Sequence, residues 1–219
     1  MATLAEAEEQ LAAYFKITPL AVKQLGLELL AHGLRTKTYR GPTSPQLGAR
    51  DIVNYSIALL CRAGQREAPR VVKATAELEF SRIESWQPDE SIDVGPGQSR
   101  MDVSGEQYLS DHSSLLFNSA FKVFKDVLPL GPDFGQSYTS VLDALAGKEG
   151  TRLEEVEVAI DILSQTAAIT AKIGKRNCIA SFGTRPDALW VPAPEIYMHA
   201  GLRKGMLAKL ASIAPTSPA

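Results

Sequence analysis

The chain of 219 residues has few of the features that mark disulfide-bonded, membrane or exported proteins. Its only two cysteines, Cys61 and Cys178, lie far apart, whereas a disulfide framework or a zinc site needs more cysteines at closer spacing. No apolar run approaches the roughly 20 residues that span a bilayer. The N-terminus, MATLAEAEEQ, is acidic and lacks the basic start of a secretory signal. We therefore expect a cytoplasmic protein with no membrane partner.

Acidic residues are almost missing from one stretch near the N-terminus. Residues 16–50 contain six basic side chains and a single acid, Glu28, although the formal net charge of the whole chain is −2. Residues 77–93 have the opposite balance, with six acids against Arg82 alone. A slightly acidic chain does not coat nucleic acid indiscriminately, but a local basic patch suits an anionic partner.

No constellation of residues indicates an enzyme or a metal site. Asp111, His112 and Ser113 are adjacent in sequence, but adjacency does not build a catalytic triad, and no G-x-S-x-G motif is present. The three histidines are isolated, without a second ligand at metal spacing. No Lys-Ser/Thr follows the glycines at 95 and 97, so they do not form a phosphate loop. We expect no catalytic activity, no metal and no cofactor.

The N-terminal region predicts two helices joined by a short turn. Apolar residues recur at helical spacing over residues 4–15, and the pattern breaks at Lys16. Thr18 is a favourable N-cap and Pro19 a favourable first residue for a second helix. Gly33 is expected to end that helix as a left-handed C-terminal cap.

The rest of the chain predicts a mixture of helices and antiparallel strands. The pattern changes to alternation between residues 154 and 182, which indicates half-solvated strands. The predicted elements are an exposed basic loop over 35–47, a third helix over 49–62, a linker over 64–70, a strand over 71–83, a loop over 84–104, helices over 108–128 and 136–146, strands between 154 and 182, and a C-terminal helix over 201–213.

The stretch LAAYFKITPLAVKQLGLELLAHGL is the most specific feature of the sequence. It resembles the helix-turn-helix of bacterial and phage DNA-binding proteins, including winged-helix variants. Residues 15–18 occupy the turn, Val22 falls where the second helix plugs into the core, and residues 33–34 match the exit of winged variants. Lys16 replaces the usual turn glycine, and Gly26 stands where a core leucine is common. The overall pattern is also similar to helix-turn-helix proteins of alphaproteobacterial phages and prophages.

This resemblance implies that the second helix reads base edges in the major groove. If Val22, Leu25 and Leu29 are buried, helical geometry exposes the opposite side. Gln24 would then recognise adenine through its amide, and Lys23 guanine or a phosphate. The residues expected to contact DNA are Thr18, Pro19, Leu20, Lys23, Gln24, Arg35, Lys37 and Arg40. Of these, Thr18 would hold a phosphate at the helix N-terminus, the basic loop would contact the DNA backbone, and Arg40 is a candidate for the minor groove.

These observations predict an α+β protein with two domains. Residues 1–65 form an N-terminal three-helix, helix-turn-helix domain that binds DNA. Residues 70–219 form a mixed domain, with a small antiparallel sheet and helices, that oligomerises, binds an effector or contacts another protein.

We interpret the chain as a sequence-specific double-stranded DNA-binding protein, a transcriptional regulator of phage or mobile-element type. A homodimer is expected because one recognition helix contacts too few bases for useful discrimination. One alternative is a phage DNA-packaging (small terminase-like) or recombination accessory protein that forms a larger ring. Another is a protein-interaction module without a nucleic-acid role. The mass in solution separates a dimer from a ring, and salt-titrated DNA binding tests the last alternative.

Overall fold

The protein folds as helices packed against an antiparallel sheet, described by a computed structural model over residues 3–38, 46–86, 101–104, 124–162, 164–183 and 199–213. In chain order its elements are α1 (Leu4–Phe15), α2 (Pro19–Ala31), α3 (Ala49–Leu60), α4 (Ala68–Ala76), β1 (Phe80–Trp86), β2 (Met101–Ser104), α5 (Phe134–Ala146), a 3-10 turn (Lys148–Thr151), β3 (Leu153–Asp161), β4 (Thr166–Ile173), β5 (Arg176–Phe182), β6 (His199–Arg203) and α6 (Lys204–Ile213). The predicted α+β class is confirmed.

Each of the first three helices is followed, within two residues of its end, by a residue with a left-handed backbone. These residues are Lys16, Gly33 and Arg62, with φ angles of 54°, 71° and 47°. In each case the next N–H donates to a carbonyl five residues earlier, as in a Schellman motif. The three bonds are Ile17 to Ala12 at 3.0 Å, Leu34 to Leu29 at 2.8 Å and Ala63 to Ala58 at 3.1 Å. The predicted Gly33 cap is confirmed.

The sheet has six strands in the order β2-β1-β5-β4-β3-β6, and every neighbouring pair is antiparallel. The alternation predicted between 154 and 182 is confirmed, because alternate residues of β4 are buried and Val158 of β3 pairs with Ile169 of β4. Gly174, with φ 57°, forms the tight turn between β4 and β5. Strands β2 and β6 were not predicted.

Helix α5 connects the sheet to the N-terminal helices. Its first residue, Phe134, contacts Phe182 of β5 edge-on, with ring centroids 5.4 Å apart. One turn later, the buried Tyr138 hydroxyl lies 3.0 Å from Ser56 Oγ of α3. Helix α6 reaches the same helices from the other end of the chain, since Lys209 Nζ lies 5.6 Å from the centre of the Tyr14 ring in α1.

The predicted domain boundary falls in the turn between α3 and α4. Buried side chains from both sides of it, including Ile52 and Phe182, belong to one continuous hydrophobic cluster. That residues 1–65 and residues 70–219 have separate roles stays a prediction. Among the helices of the described ranges, none is long and apolar enough to cross a membrane.

The predicted linker over 64–70 and the first part of the predicted strand over 71–83 are wrong, because residues 68–76 form α4. The last residues of that predicted strand, 80–83, are the start of β1. Pro69, taken as a linker residue, lies in the first turn of this helix, where proline is favoured. Its neighbours Val72 and Ala76 are buried at helical spacing. The predicted loop over 84–104 is also partly wrong, since β1 continues to Trp86 and β2 begins at Met101.

Of the predicted helix over 108–128, residues 124–127 are helical and residues 108–123 lie outside the described residues. The glycines at 95 and 97 and the Asp-His-Ser run at 111–113 also lie outside them.

Candidate nucleic-acid interface

Helix α2 buries one side against the other helices and presents the other side to solvent. Val22, Leu25 and Leu29 are 5% exposed or less, as the sequence predicted. The exposed side carries Pro19, Leu20, Lys23, Gln24 and Leu27. Leu20 and Leu27 are unusual, because their exposed fractions reach 64% and 55%. The predicted burial pattern of α2 is therefore confirmed.

The turn before α2 has the geometry that usually calls for glycine. Lys16 adopts the left-handed conformation, at a cost of roughly 1 kcal/mol relative to glycine. Thr18 is the N-cap, and its Oγ1 accepts the Ala21 N–H at 3.3 Å. Pro19 has no N–H to donate. Leu20 is the next residue of the helix, and no carbonyl of the helix accepts its N–H. Among the described residues, none accepts a hydrogen bond from the Thr18 hydroxyl.

A buried polar cluster lies directly behind α2. Arg35 Nη1 is 3.2 Å from Glu8 Oε1 of α1 and donates to the Tyr55 hydroxyl of α3 at 3.2 Å. The Tyr55 hydroxyl in turn donates to Glu8 Oε1 at 2.9 Å. Burial raises the pKa of Tyr55, and the carboxylate of Glu8 adds to the rise, so the phenol stays protonated. The Glu8–Arg35–Tyr55 cluster joins two helices and the segment after α2.

Gly26 makes room for this cluster. A Cβ atom at position 26 would overlap the Tyr55 hydroxyl and lie 2.9 Å from both Arg35 Nη1 and Glu8 Oε1. The departure from the common leucine at this position is therefore explained, since the polar cluster occupies the space that the leucine side chain would fill.

Helix α3 also fixes the segment that follows α2. Asn54 Nδ2 donates to the Leu34 carbonyl at 2.6 Å, and the Asp51 carboxylate accepts the Thr36 N–H at 2.7 Å. The other Asp51 oxygen accepts the Gly48 N–H at 2.8 Å, just before α3 begins. These contacts hold residues 34–36 at a defined place beside α2, and Lys37 is the exposed residue that follows.

The prediction that Arg35 contacts the DNA backbone is contradicted by its burial. Its side chain is 4% exposed and its charge is paired with Glu8. Sequence reasoning placed it in the exposed loop because it follows Gly33 directly. The signal that was missed is the set of polar residues Asp51, Asn54 and Tyr55, which are buried in α3. Arg40 lies outside the described residues.

The turn between α3 and α4 adds a surface that the sequence did not suggest. Gln65 Nε2 donates to Gln24 Oε1 at 2.6 Å, which brings this turn beside the exposed side of α2. Arg62 and Arg66 of the same turn are exposed and make no ion pair within the described ranges. Of this turn, the sequence predicted residues 61–62 as the end of the third helix and residues 64–67 as part of a linker. The exposed side of α2 and this turn, residues 61–67, are called the α2 face below.

The charge of the α2 face favours an anion. Besides Arg62 and Arg66, it carries Lys23, which is exposed and makes no ion pair with any described residue. The acid of the turn, Glu67, is neutralised by Arg70 at 2.9 Å. No group of three or more His, Cys, Asp or Glu side chains suited to a metal ion occurs in the part of the chain that the structure describes.

Comparisons with models of known protein families, with curated proteins and with solved structures found no match.

Proposed function

We propose that the protein binds double-stranded DNA through the α2 face. The observation that carries this proposal is the exposed pair Lys23 and Gln24 on a helix whose opposite side is fully packed. A helix presented in this way enters the major groove with its polar side toward the base edges. Lys23 supplies a cation and Gln24 an amide, the side-chain types that read guanine and adenine. Leu20 is suited to the methyl group of thymine.

The phosphate contacts come from the elements that flank α2. Thr18 donates its hydroxyl proton at the N-terminus of the helix, and Lys37 follows the segment that α3 holds in place. Arg62 and Arg66, in the turn that contacts Gln24, supply further cations. Positive charge around the residues proposed to read bases suits the phosphate backbones of a duplex.

The biological role we propose is transcriptional regulation in a phage or mobile element, with the protein acting as a homodimer in the cytoplasm. Two copies double the number of base pairs read, which a single α2 face needs in order to discriminate among sites. A ring-shaped assembly in solution would favour the DNA-packaging alternative.

The test is the affinity for a mixed-sequence duplex, measured by fluorescence anisotropy over a series of salt concentrations. The affinity of the native chain is expected to fall steeply with salt, because each phosphate contact releases counterions. Lys23→Ala lowers the slope of log K against log salt by about one, and Arg62→Ala/Arg66→Ala by up to about two.

Lys175→Ala is the matched control, since it removes the same charge from the exposed turn between β4 and β5. Its affinity and slope should equal those of the native chain. Absence of binding at low salt, or equal binding by Lys23→Ala/Gln24→Ala and the control, would contradict the proposal.

The protein-interaction alternative has one specific observation in its favour. Leu20 and Leu27 are far more exposed than leucine usually is, and they lie on the same side of α2. If this side packs on a helix of a partner, Leu27→Gln should abolish an association that increases with concentration. The same substitution should not change the DNA affinity, whether or not the native chain has any. Sedimentation of the native chain and this variant separates the two proposals.

A further inference from the structure

The most exposed large apolar side chains of the described residues lie together at α2. They are Ile17, in the turn before the helix, and Leu20 and Leu27, within it. Leu20 and Leu27 are the more exposed, as given above. Apolar residues scattered singly over a surface need no explanation, but apolar residues gathered on one element mark a surface that contacts a partner.

The two leucines occupy the middle of the exposed side of α2. Seven residues make almost two helical turns, so the side chains of Leu20 and Leu27 leave the helix within about 20° of each other. The fully buried Leu29 lies on the opposite side. Lys23 and Gln24 leave the helix about 50° to either side of the two leucines. A partner that docks on α2 therefore meets the leucines first and the two polar residues beside them.

The major groove offers one kind of contact that suits such leucines. The edges of the base pairs carry hydrogen-bond donors, hydrogen-bond acceptors and a single apolar substituent, the C5-methyl group of thymine. A leucine that covers a donor or an acceptor removes it from water and forms no bond with it, which costs free energy. A leucine that covers the thymine methyl group buries apolar surface on both sides and so stabilises the complex.

The spacing of the leucines fixes the spacing of the thymines. Seven residues of α-helix rise by about 10.5 Å. Base pairs in duplex DNA are stacked about 3.4 Å apart. A helix that lies along the groove therefore places Leu20 and Leu27 about three base-pair steps apart.

We propose that Leu20 and Leu27 are specificity-determining residues that contact two thymine methyl groups about three base-pair steps apart. The α2 face then selects A·T pairs at both positions, and the adenines of these pairs are bases that the amide of Gln24 can read. This extends the thymine contact of Leu20 to a pair of contacts with a defined spacing. The inference rests on the proposed DNA binding, and it concerns which bases are chosen rather than whether DNA is bound.

The test begins with selection from a pool of duplexes that have a randomised central segment. The native chain should enrich two thymines about three steps apart. In the enriched duplex, deoxyuridine then replaces each of these thymines in turn, because uracil lacks the methyl group but keeps every hydrogen-bonding group of thymine. Fluorescence anisotropy should show that the affinity of the native chain falls by about fourfold for each methyl group removed.

The protein variants assign each methyl group to one leucine. Leu20→Ala should lose the response to uracil at one of the two positions, and Leu27→Ala should lose it at the other. Lys23→Ala is the matched control, since it should lower the affinity for every duplex and leave the ratio between thymine and uracil unchanged. Because both leucines are exposed, thermal unfolding of their variants should match that of the native chain and so establish that they are folded.

The outcomes separate this inference from the proposed function. If the native chain binds thymine and uracil duplexes equally, or if Leu20→Ala and Leu27→Ala keep the native response to uracil, the methyl contacts are wrong although the proposed function stands. Equal binding would leave the two leucines to the protein partner of the alternative above. If the native chain has no affinity for any duplex at low salt, the proposed function fails and the inference fails with it.

Discussion

Gly26 is the residue at which the packing behind α2 can be tested most simply. Gly26→Ala places a Cβ on the Tyr55 hydroxyl and against Arg35 and Glu8. Those side chains are buried and hydrogen bonded to one another, so they cannot move apart without exposing or unpairing a charge. We expect the overlap to lower the free energy of unfolding, measured in urea, by about 2–3 kcal/mol. This loss exceeds the roughly 1 kcal/mol by which the higher helix propensity of alanine stabilises the helix relative to glycine.

Gly205→Ala is the matched control for Gly26→Ala. Gly205 is also helical, lies in α6, and has no atom near the position of an added Cβ. The same substitution should therefore stabilise the protein there, by a few tenths to about 1 kcal/mol. If the two variants shift the unfolding free energy in the same direction, the space around Gly26 is not limited by the Glu8–Arg35–Tyr55 cluster.

Among the elements, α3 makes the polar contacts that position α2 and α5. Tyr55 contacts α1 and the segment after α2, while the next residue, Ser56, bonds Tyr138 of α5. Burial is the main cause that raises the pKa of both tyrosines above the ordinary value of 10.0. Each phenol is therefore protonated in the folded protein at pH values where the unfolded chain begins to lose the proton.

This difference predicts a loss of stability in alkali. The contribution of each tyrosine is complete below pH 10.0 and is lost as the pH rises from there toward its raised pKa. Each should lower the free energy of unfolding by about 1.4 kcal/mol per pH unit in that range. Tyr138→Phe is expected to reduce the alkaline slope by that amount, as measured by urea unfolding at a series of pH values.

Ser56→Ala is the control for the alkaline slope. It removes the hydrogen bond to Tyr138 but keeps the ionisable phenol. It should lower stability at neutral pH and leave the slope above pH 10.0 close to that of the native chain. Equal slopes for Tyr138→Phe and Ser56→Ala would mean that Tyr138 does not couple folding to its proton.

The elements also show which parts of the structure the sequence could predict. Helices α1 and α2 were predicted because their caps and apolar spacing are local signals. Strands β3 to β5 were predicted because the alternation of buried and exposed residues is also a local signal. Helix α4 was misread because its short apolar set, Val72 and Ala76, lies beside residues that alternate. The burial of Arg35 was not predictable locally, since its partners Glu8 and Tyr55 are 27 and 20 residues away in sequence.

The candidate site shows the same limit. Thr18, Leu20, Lys23 and Gln24 were predicted because they follow from the period of one helix. Gln65 was missed because its contact with Gln24 depends on how two distant turns meet. Local patterns thus predicted the exposed side of α2, whereas the neighbour that contacts Gln24 required the tertiary structure.

In the whole molecule, the α2 face and the sheet are joined by packed helices. Phe134 and Tyr138 of α5 link Phe182 of the sheet to Ser56 of α3, and Lys209 of α6 contacts Tyr14 of α1. The N-terminal helices are therefore held against the remainder of the described protein by side-chain packing. The described helices and sheet thus support the α2 face, and such support is what the proposed base contacts need.

The most direct test of the central claim is amide hydrogen exchange with and without mixed-sequence duplex DNA at low salt. If the α2 face binds DNA, exchange should slow for residues 18–24 and 61–67, while residues 166–182 of β4 and β5 keep their rates. Unchanged rates throughout the α2 face, or slowing confined to the sheet, would contradict the account.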